Sequence, residues 1–188
     1  SSLTFSLLWR FPKGFEQLSG LSLAVGVAVA QALEACGASG VTLKWPNDIL
    51  HGPAKLGGIL VELQVDPAPQ SEAALAIIGI GLNLRMPVNI SELDAGSLPP
   101  ASLDQIVPVL PERHALFAGL LVELARTLDR FSAGGCEALR EQWHAHHAWQ
   151  NRTVRVLRDG RVEKEGLCAG ADIDGALLIE TAGGIERC

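Results

Sequence analysis

The chain has 188 residues, 48% of them hydrophobic and 19% charged, enough apolar surface to offset the ordering entropy of folding and so to exclude general disorder. Fifteen Lys and Arg against 21 Asp and Glu give a net charge of −6, and without a basic run a partner made of nucleic acid is not expected. The longest apolar stretch, Leu23 to Ala30, falls far short of the roughly 20 residues that cross a bilayer, so no membrane association is expected.

The start, Ser-Ser-Leu-Thr-Phe, lacks the basic n-region of a signal peptide. Together with four cysteines (Cys36, Cys136, Cys168, Cys188) that form no Cys-x-x-Cys pair, this suggests reduced thiols and a cytoplasmic location. The chain opens at Ser1 and its one methionine is Met86, so the start reads as processed, trimmed or fragmentary.

Leu3 to Trp9 is an apolar run closed by Pro12 and Gly14, which predicts a strand and a turn. From Phe15 to Cys36, Leu18, Leu21, Val25, Ala28, Val29, Ala32 and Leu33 recur at helical spacing, and Gly37 supplies the stop. The small residues Ala24, Gly26, Ala28 and Ala30 suggest that this helix packs closely on a sheet. Val41 to Trp45 reads as a strand ending in the turn Pro46-Asn47-Asp48. A second turn, Gly52-Pro53, leads into a strand over Lys55 to Leu63. After a hairpin-like connection over Asp66 to Gln70, Ala73 to Leu84 is another strand. Strands joined by such short loops pair antiparallel, because a parallel pair needs a long crossover.

Residues 85 to 111, with five prolines, read as a long loop holding at most one short helix near Leu103. Two helices follow, Glu112 to Phe131, with Phe117, Leu120, Leu121, Leu124, Leu128 and Phe131 on one face, and Cys136 to Trp149, with Leu139, Trp143 and His147. Past Asn151 the pattern turns to short strands around Asp159-Gly160 and Asp174-Gly175. The fold class is therefore α+β, a mixed or antiparallel sheet backed by helices, with a domain boundary near Gln150 and a small β unit over 151–188.

Three segments could carry chemistry. In Gly79-Ile80-Gly81-Leu82-Asn83, strand alternation sets Gly79, Gly81 and Asn83 on one face and Ile78, Ile80, Leu82 and Leu84 on the other. The glycine face suits either a flat ligand or close packing against the Ala/Gly-rich helix. In Lys55-Leu56-Gly57-Gly58-Ile59-Leu60-Val61-Glu62, Lys55 is either a solvated strand end or a compact positive charge for a carboxylate or phosphate. The paired glycines permit a bulge, which leaves the facing of Lys55 relative to Gly58 open.

In Lys44-Trp45-Pro46-Asn47-Asp48, the last three residues are either a plain turn or a polar cluster. In the second case Asn47 donates to phosphate oxygens, and Asp48 takes a cation partner, either Lys55 or magnesium. His144, His146 and His147 have no carboxylate or cysteine at ligand spacing and read as structural. The Walker-A loop, the Rossmann fingerprint and the Gly-x-Ser-x-Gly elbow are all missing.

In this order and spacing the three segments resemble the catalytic domain of the biotin protein ligases, also called biotin–[acetyl-CoA-carboxylase] ligases. Leu7-Leu8-Trp9-Arg10, Gly20-Leu21-Ser22-Leu23, Arg140-Glu141-Gln142-Trp143 and Asn151-Arg152-Thr153-Val154 extend the likeness over most of the chain. The resemblance implies a biotin/lipoate ligase-like catalytic domain over 1–150, N-terminally incomplete, and part of an SH3-like domain over 151–188. It implies activation of biotin by ATP, with Mg2+, to biotinyl-5′-AMP. Biotin would then pass to a lysine of the biotin carboxyl carrier protein of acetyl-CoA carboxylase. Lys55 would contact the biotin carboxylate and the adenylate phosphate, and with Asp48 would be catalytic. Gly58, Leu60, Gly79 and Gly81 would line the biotin pocket, while Asn47, Asp48, Lys55 and Asn83 would lie near the nucleotide.

The family's Gly/Arg-rich biotin loop, its DNA-binding winged helix and its last C-terminal strands have no counterpart in these residues. The expectation is therefore weak or no catalysis by them alone and a natural protein longer at both ends. Metal count and oligomeric state are left open, with room for a homodimer. A lipoate or octanoate ligase or transferase of the same superfamily, or a non-catalytic biotin-binding protein, are the competing readings.

Overall fold

The computed structural model describes residues 1–16, 18–68, 70–86, 98–158 and 160–188. Pro69, Asp159 and the middle of the proline-rich loop, 87–97, thus lie outside the described residues, and so does Gln17.

Five strands, β1 (Ser2–Phe11), β2 (Val41–Lys44), β3 (Asp48–His51), β4 (Ala54–Val65) and β5 (Ala74–Asn83), form one sheet in the order β1-β5-β4-β3-β2. Every pairing in it is antiparallel. The sequence reading puts turns at Pro46-Asn47-Asp48 and Gly52-Pro53. The structure agrees on both turns and makes the segment between them β3, too short to show an alternation of its own.

One face of the sheet is covered by α1 (Leu21–Ala35) and α2 (Arg113–Gly134). α1 begins at Leu21 rather than near Phe15, because Gly20 sits at φ 75° in the left-handed region and turns the chain into the helix there. Its run Ala24-Val25-Gly26-Val27-Ala28-Val29-Ala30 is buried throughout. A Cβ added at Gly26 would lie 3.3 Å from Leu43 and 3.7 Å from Ile59, so the missing side chain is what brings helix and sheet together. α2 buries Leu116, Leu120, Leu124, Leu128 and Phe131, and its Phe117 and Phe131 meet Phe5 and Phe11 of β1 edge to face.

The last helix is shorter than its periodicity predicts. A 3-10 turn over Cys136–Leu139 precedes α3 (Arg140–His146), and His147 leaves the helix in an extended conformation. The reason is a competing sheet contact: Ala148 donates to the carbonyl of Leu43 at 2.9 Å, pulling the chain off the helix and alongside β2.

A second antiparallel sheet follows, β6 (Thr153–Arg158), β7 (Arg161–Ala171), β8 (Leu177–Thr181) and β9 (Gly184–Arg187), paired in that order. Its β7–β8 turn is stapled by Asp172, whose carboxylate accepts the backbone N–H groups of Asp174 and Ala176. This turn seats on the start of α1, where Ser19 donates to the carbonyl of Asp174 at 2.6 Å and Trp45 Nε1 donates to that of Gly175 at 3.0 Å. At Gly175 a Cβ would stand 2.6 Å from Gly20 Cα, so the contact is backbone on backbone.

Candidate active site

The alternation in β5 is as read: Ala74, Ala76, Ile78, Ile80 and Leu82 are buried under the helices, and Gly79, Gly81 and Asn83 face the other way. The glycines do not pack on α1. A Cβ at Gly81 would meet nothing closer than Thr4 Oγ1 at 4.0 Å, and one at Gly79 would be 3.6 Å from the carbonyl oxygen of Leu60. The backbone of Gly57, Gly58 and Gly81 floors an open groove of about 340 Å³, bordered by Thr4, Lys55, Asn83, Leu98 and Pro100, while Gly79 and Leu60 lie on the same sheet face outside its lining.

The facing of Lys55 is decided by a bulge. Ile49 pairs with Gly57 and Leu50 with Lys55, so Leu56 is the extra residue on β4. Leu56 and Gly57 are consequently buried in succession, and Lys55 joins Gly58 on the groove side. The Lys55 ammonium lies 3.6 Å from where a Gly58 Cβ would be. Leu60 continues this face and is 61% exposed.

Asp48, directly opposite Gly58 in the register, has a side chain only 11% exposed and contacts two cations. Its Oδ1 is 2.5 Å from Lys55 Nζ and its Oδ2 is 2.8 Å from Lys44 Nζ. Burial by itself would raise the Asp48 carboxyl, but hydrogen bonds from Lys44 and Lys55, and their charge, outweigh it and hold the group below its usual range. Of the two cation partners considered, the structure supplies the lysine, and it supplies a second one as well.

Asn47 and Asn83 brace the same place. Asn47 donates to the carbonyl of Ile59 at 2.8 Å and accepts the Ile59 N–H at 2.9 Å, fixing the turn to β4. Asn83 donates to the carbonyls of Ala101 (3.0 Å) and Lys55 (3.3 Å). The strip Pro99–Ala101 thereby continues the sheet beside Lys55, whose N–H donates to Pro99 and whose carbonyl accepts from Ala101.

Among the described residues no group of three His, Cys, Asp or Glu side chains converges on one point. The three histidines are each engaged: His144 accepts the N–H of Ala171, His146 meets Glu34 at 3.0 Å, and buried His147 stacks on Trp143 and bonds Gln150. Burial lowers the pKa of His147. What sequence reasoning missed is Lys44. Its spacing of four residues from Asp48 across a tight turn was the available signal, since a β hairpin of that length sets the two opposite each other.

A groove floored by glycine backbone and closed by a lysine–carboxylate cluster, on a sheet backed by helices, has the shape and charge to suit a flat molecule with an anionic end. Comparison narrows this. Residues 1–83 match the Biotin/lipoate A/B protein ligase family. The bifunctional ligase/repressor BirA of Escherichia coli is 34% identical over 99% of this chain and 56% of its own length. Biotin–[acetyl-CoA-carboxylase] ligase of Paracoccus denitrificans is 30% identical over 95% of this chain and 74% of its own length. The crystal structure of biotin protein ligase from Aquifex aeolicus superposes with a TM-score of 0.82 at 27% identity, over 99% of this chain and 78% of that one. Its complex with biotin and ATP gives 0.80 at 26% identity, over 100% of this chain and 75% of that one.

The chain belongs to the biotin protein ligase family. It spans little more than half the length of the Escherichia coli relative.

Proposed function

We propose that this chain carries the groove in which biotin is activated by ATP and from which it passes to a lysine of a biotin carboxyl carrier protein. The carrying observation is the position of Lys55, a cation at the end of an otherwise bare glycine face. Biotin lies on Gly58, Leu60, Gly79 and Gly81 with its carboxylate at Lys55. A carboxylate oxygen attacks the α-phosphorus of ATP, the bond to the β-phosphate breaks, and pyrophosphate leaves. Lys55 offsets the negative charge that accumulates as the two anions meet. The acceptor amine then attacks the carbonyl carbon of the mixed anhydride and AMP leaves.

Asn47, Asp48 and Asn83 stand on the nucleotide side of Lys55. Both Asp48 oxygens already face ammonium groups, so the residues present do not form a magnesium cage. Mg2+, if used, would be held by the nucleotide's phosphates, where it would supply charge neutralisation, as is usual for this ion. In this reading residues 1–150 are the catalytic unit and 151–188 belong to an SH3-like unit. The protein works in the cytoplasm on the carrier subunit of acetyl-CoA carboxylase, and a homodimer is compatible with that work. Among the described residues no helix is long and apolar enough to cross a membrane.

Calorimetric titration with a non-hydrolysable biotinyl-AMP analogue, with the lipoyl analogue as competitor, tests the reading. Saturable binding that the lipoyl compound does not displace is expected. Displacement by the lipoyl compound would move the assignment to the lipoate branch of the superfamily.

A further inference from the structure

Asp48 and Lys55 alone would be a neutral pair, with little pull on an anion. The second lysine returns the cluster to a net charge of +1. Lys44 ends β2, stands opposite Asp48 in the β2–β3 register, and takes the carboxylate oxygen that Lys55 does not use. Its side chain is 25% exposed. Its Nζ lies 5.6 Å from the centre of the Trp149 ring, within cation–π range. The residues on either side are tied down too: Leu43 accepts the N–H of Ala148, and Trp45 donates to Gly175 of the second sheet.

We infer that Lys44 is a positioning residue for Lys55, acting through Asp48, and that Trp149 holds Lys44 in place; the catalytic part of this inference rests on the biotin-activating reading above. With Lys44 on Oδ2, Asp48 has only Oδ1 for Lys55, and the Lys55 ammonium stays forward over Gly58. Without Lys44, both carboxylate oxygens are free to draw Lys55 back from the groove and to cancel its charge. The linker between α3 and β6 therefore bears on the site from outside it, through one aromatic ring.

The experiment compares Lys44→Met, Lys44→Arg, Trp149→Leu and Trp149→Phe by two readouts. The first is pyrophosphate release with biotin and ATP. Lys44→Met is expected to lower kcat about tenfold, a modest misplacement penalty, with the KM for biotin changed by less than about threefold. Lys44→Arg restores the rate, Trp149→Leu lowers it in the same direction by a smaller factor, and Trp149→Phe keeps it. The second readout needs no activity: competitive amine labelling of Lys55 by mass spectrometry. Labelling is expected to slow about threefold in Lys44→Met, as the ammonium is held by Asp48 alone, and to be unchanged in Lys44→Arg.

Unchanged Lys55 labelling in Lys44→Met overturns the inference whatever the activity. A rise in the KM for biotin that accounts for the whole loss in kcat/KM also overturns it, by making Lys44 a ligand contact. If the unaltered protein releases no pyrophosphate, the proposed activity fails on its own, and the labelling result still decides the role of Lys44.

Discussion

Gly58 stands directly across the strand pair from Asp48, and the space its missing side chain leaves is where the Lys55 ammonium rests. A Cβ alone would fit there in ordinary contact, 3.5 Å from Lys55 Cε. The two further methyl groups of valine would not. Gly58→Val is therefore expected to weaken biotin binding by about tenfold or more, because the added methyl groups fill the groove that Gly58 lines. The melting temperature should stay within a few degrees, because the face is open. Calorimetry and thermal melts on one preparation check both parts.

Neighbouring glycines should behave in opposite ways. Gly81→Val adds bulk to the groove floor, with Thr4 Oγ1 at 4.0 Å from the new Cβ as its nearest neighbour, so it should fold normally and fail to bind biotin. A Cβ at Gly57 would run into the carbonyl of Gly81 inside the sheet. Gly57→Ala should then destabilise the protein by roughly 1–3 kcal/mol, as overpacking does. Denaturant unfolding of the pair separates the two roles, and equal stability losses would mean that the glycine face is not open.

Lys55→Ala is expected to abolish adenylate formation while leaving unfolding cooperative and near the parent midpoint, because the side chain is 44% exposed and outside the core. Asp48→Asn should impair the use of ATP more than the binding of biotin. Separate KM values for the two substrates report this, and the reverse pattern would reassign the cluster.

The same carboxylate has a pH signature. Its pKa lies below the ordinary 3.8, so ionised Asp48 stabilises the folded state above that value. That contribution is lost as pH falls from about 3.8 through the lower folded value. Asp48→Asn should flatten the fall of the melting temperature over this acid range. A parallel fall in both proteins would show that the lysines do not hold the carboxylate in solution.

Gly175→Ala tests the joint between the sheets. The new Cβ would lie 2.6 Å from Gly20 Cα, on a residue at φ 82°. A cost of about 2 kcal/mol or more is expected, with faster proteolysis between α3 and β6.

The groove floor was legible in the sequence because a period of two is set by covalent geometry. Once Ile78, Ile80 and Leu82 are placed inside, Gly79, Gly81 and Asn83 must be outside. The small-residue helix announced its own close packing in the same way. The facing of Lys55 was not legible, since a bulge at paired glycines is permitted by the residues and chosen by the register with β3. Lys44 was not legible either, since only the β2–β3 hairpin brings it opposite Asp48. The end of α3 was not legible, because periodicity carries no information about a competing bond to Leu43.

The extra residue at Leu56 decides which way the site faces. Were Leu56 paired in plain alternation instead, counting back from Ile59 would turn the Lys55 side chain under the sheet among Ile49, Ile59 and Ile80. Losing Leu56 altogether would close the bulge and leave Lys55 beside Gly58. Pairing rather than residue type thus sets the polarity of the site, and in distant members of this family the register of β3 on β4 is itself a chemical marker.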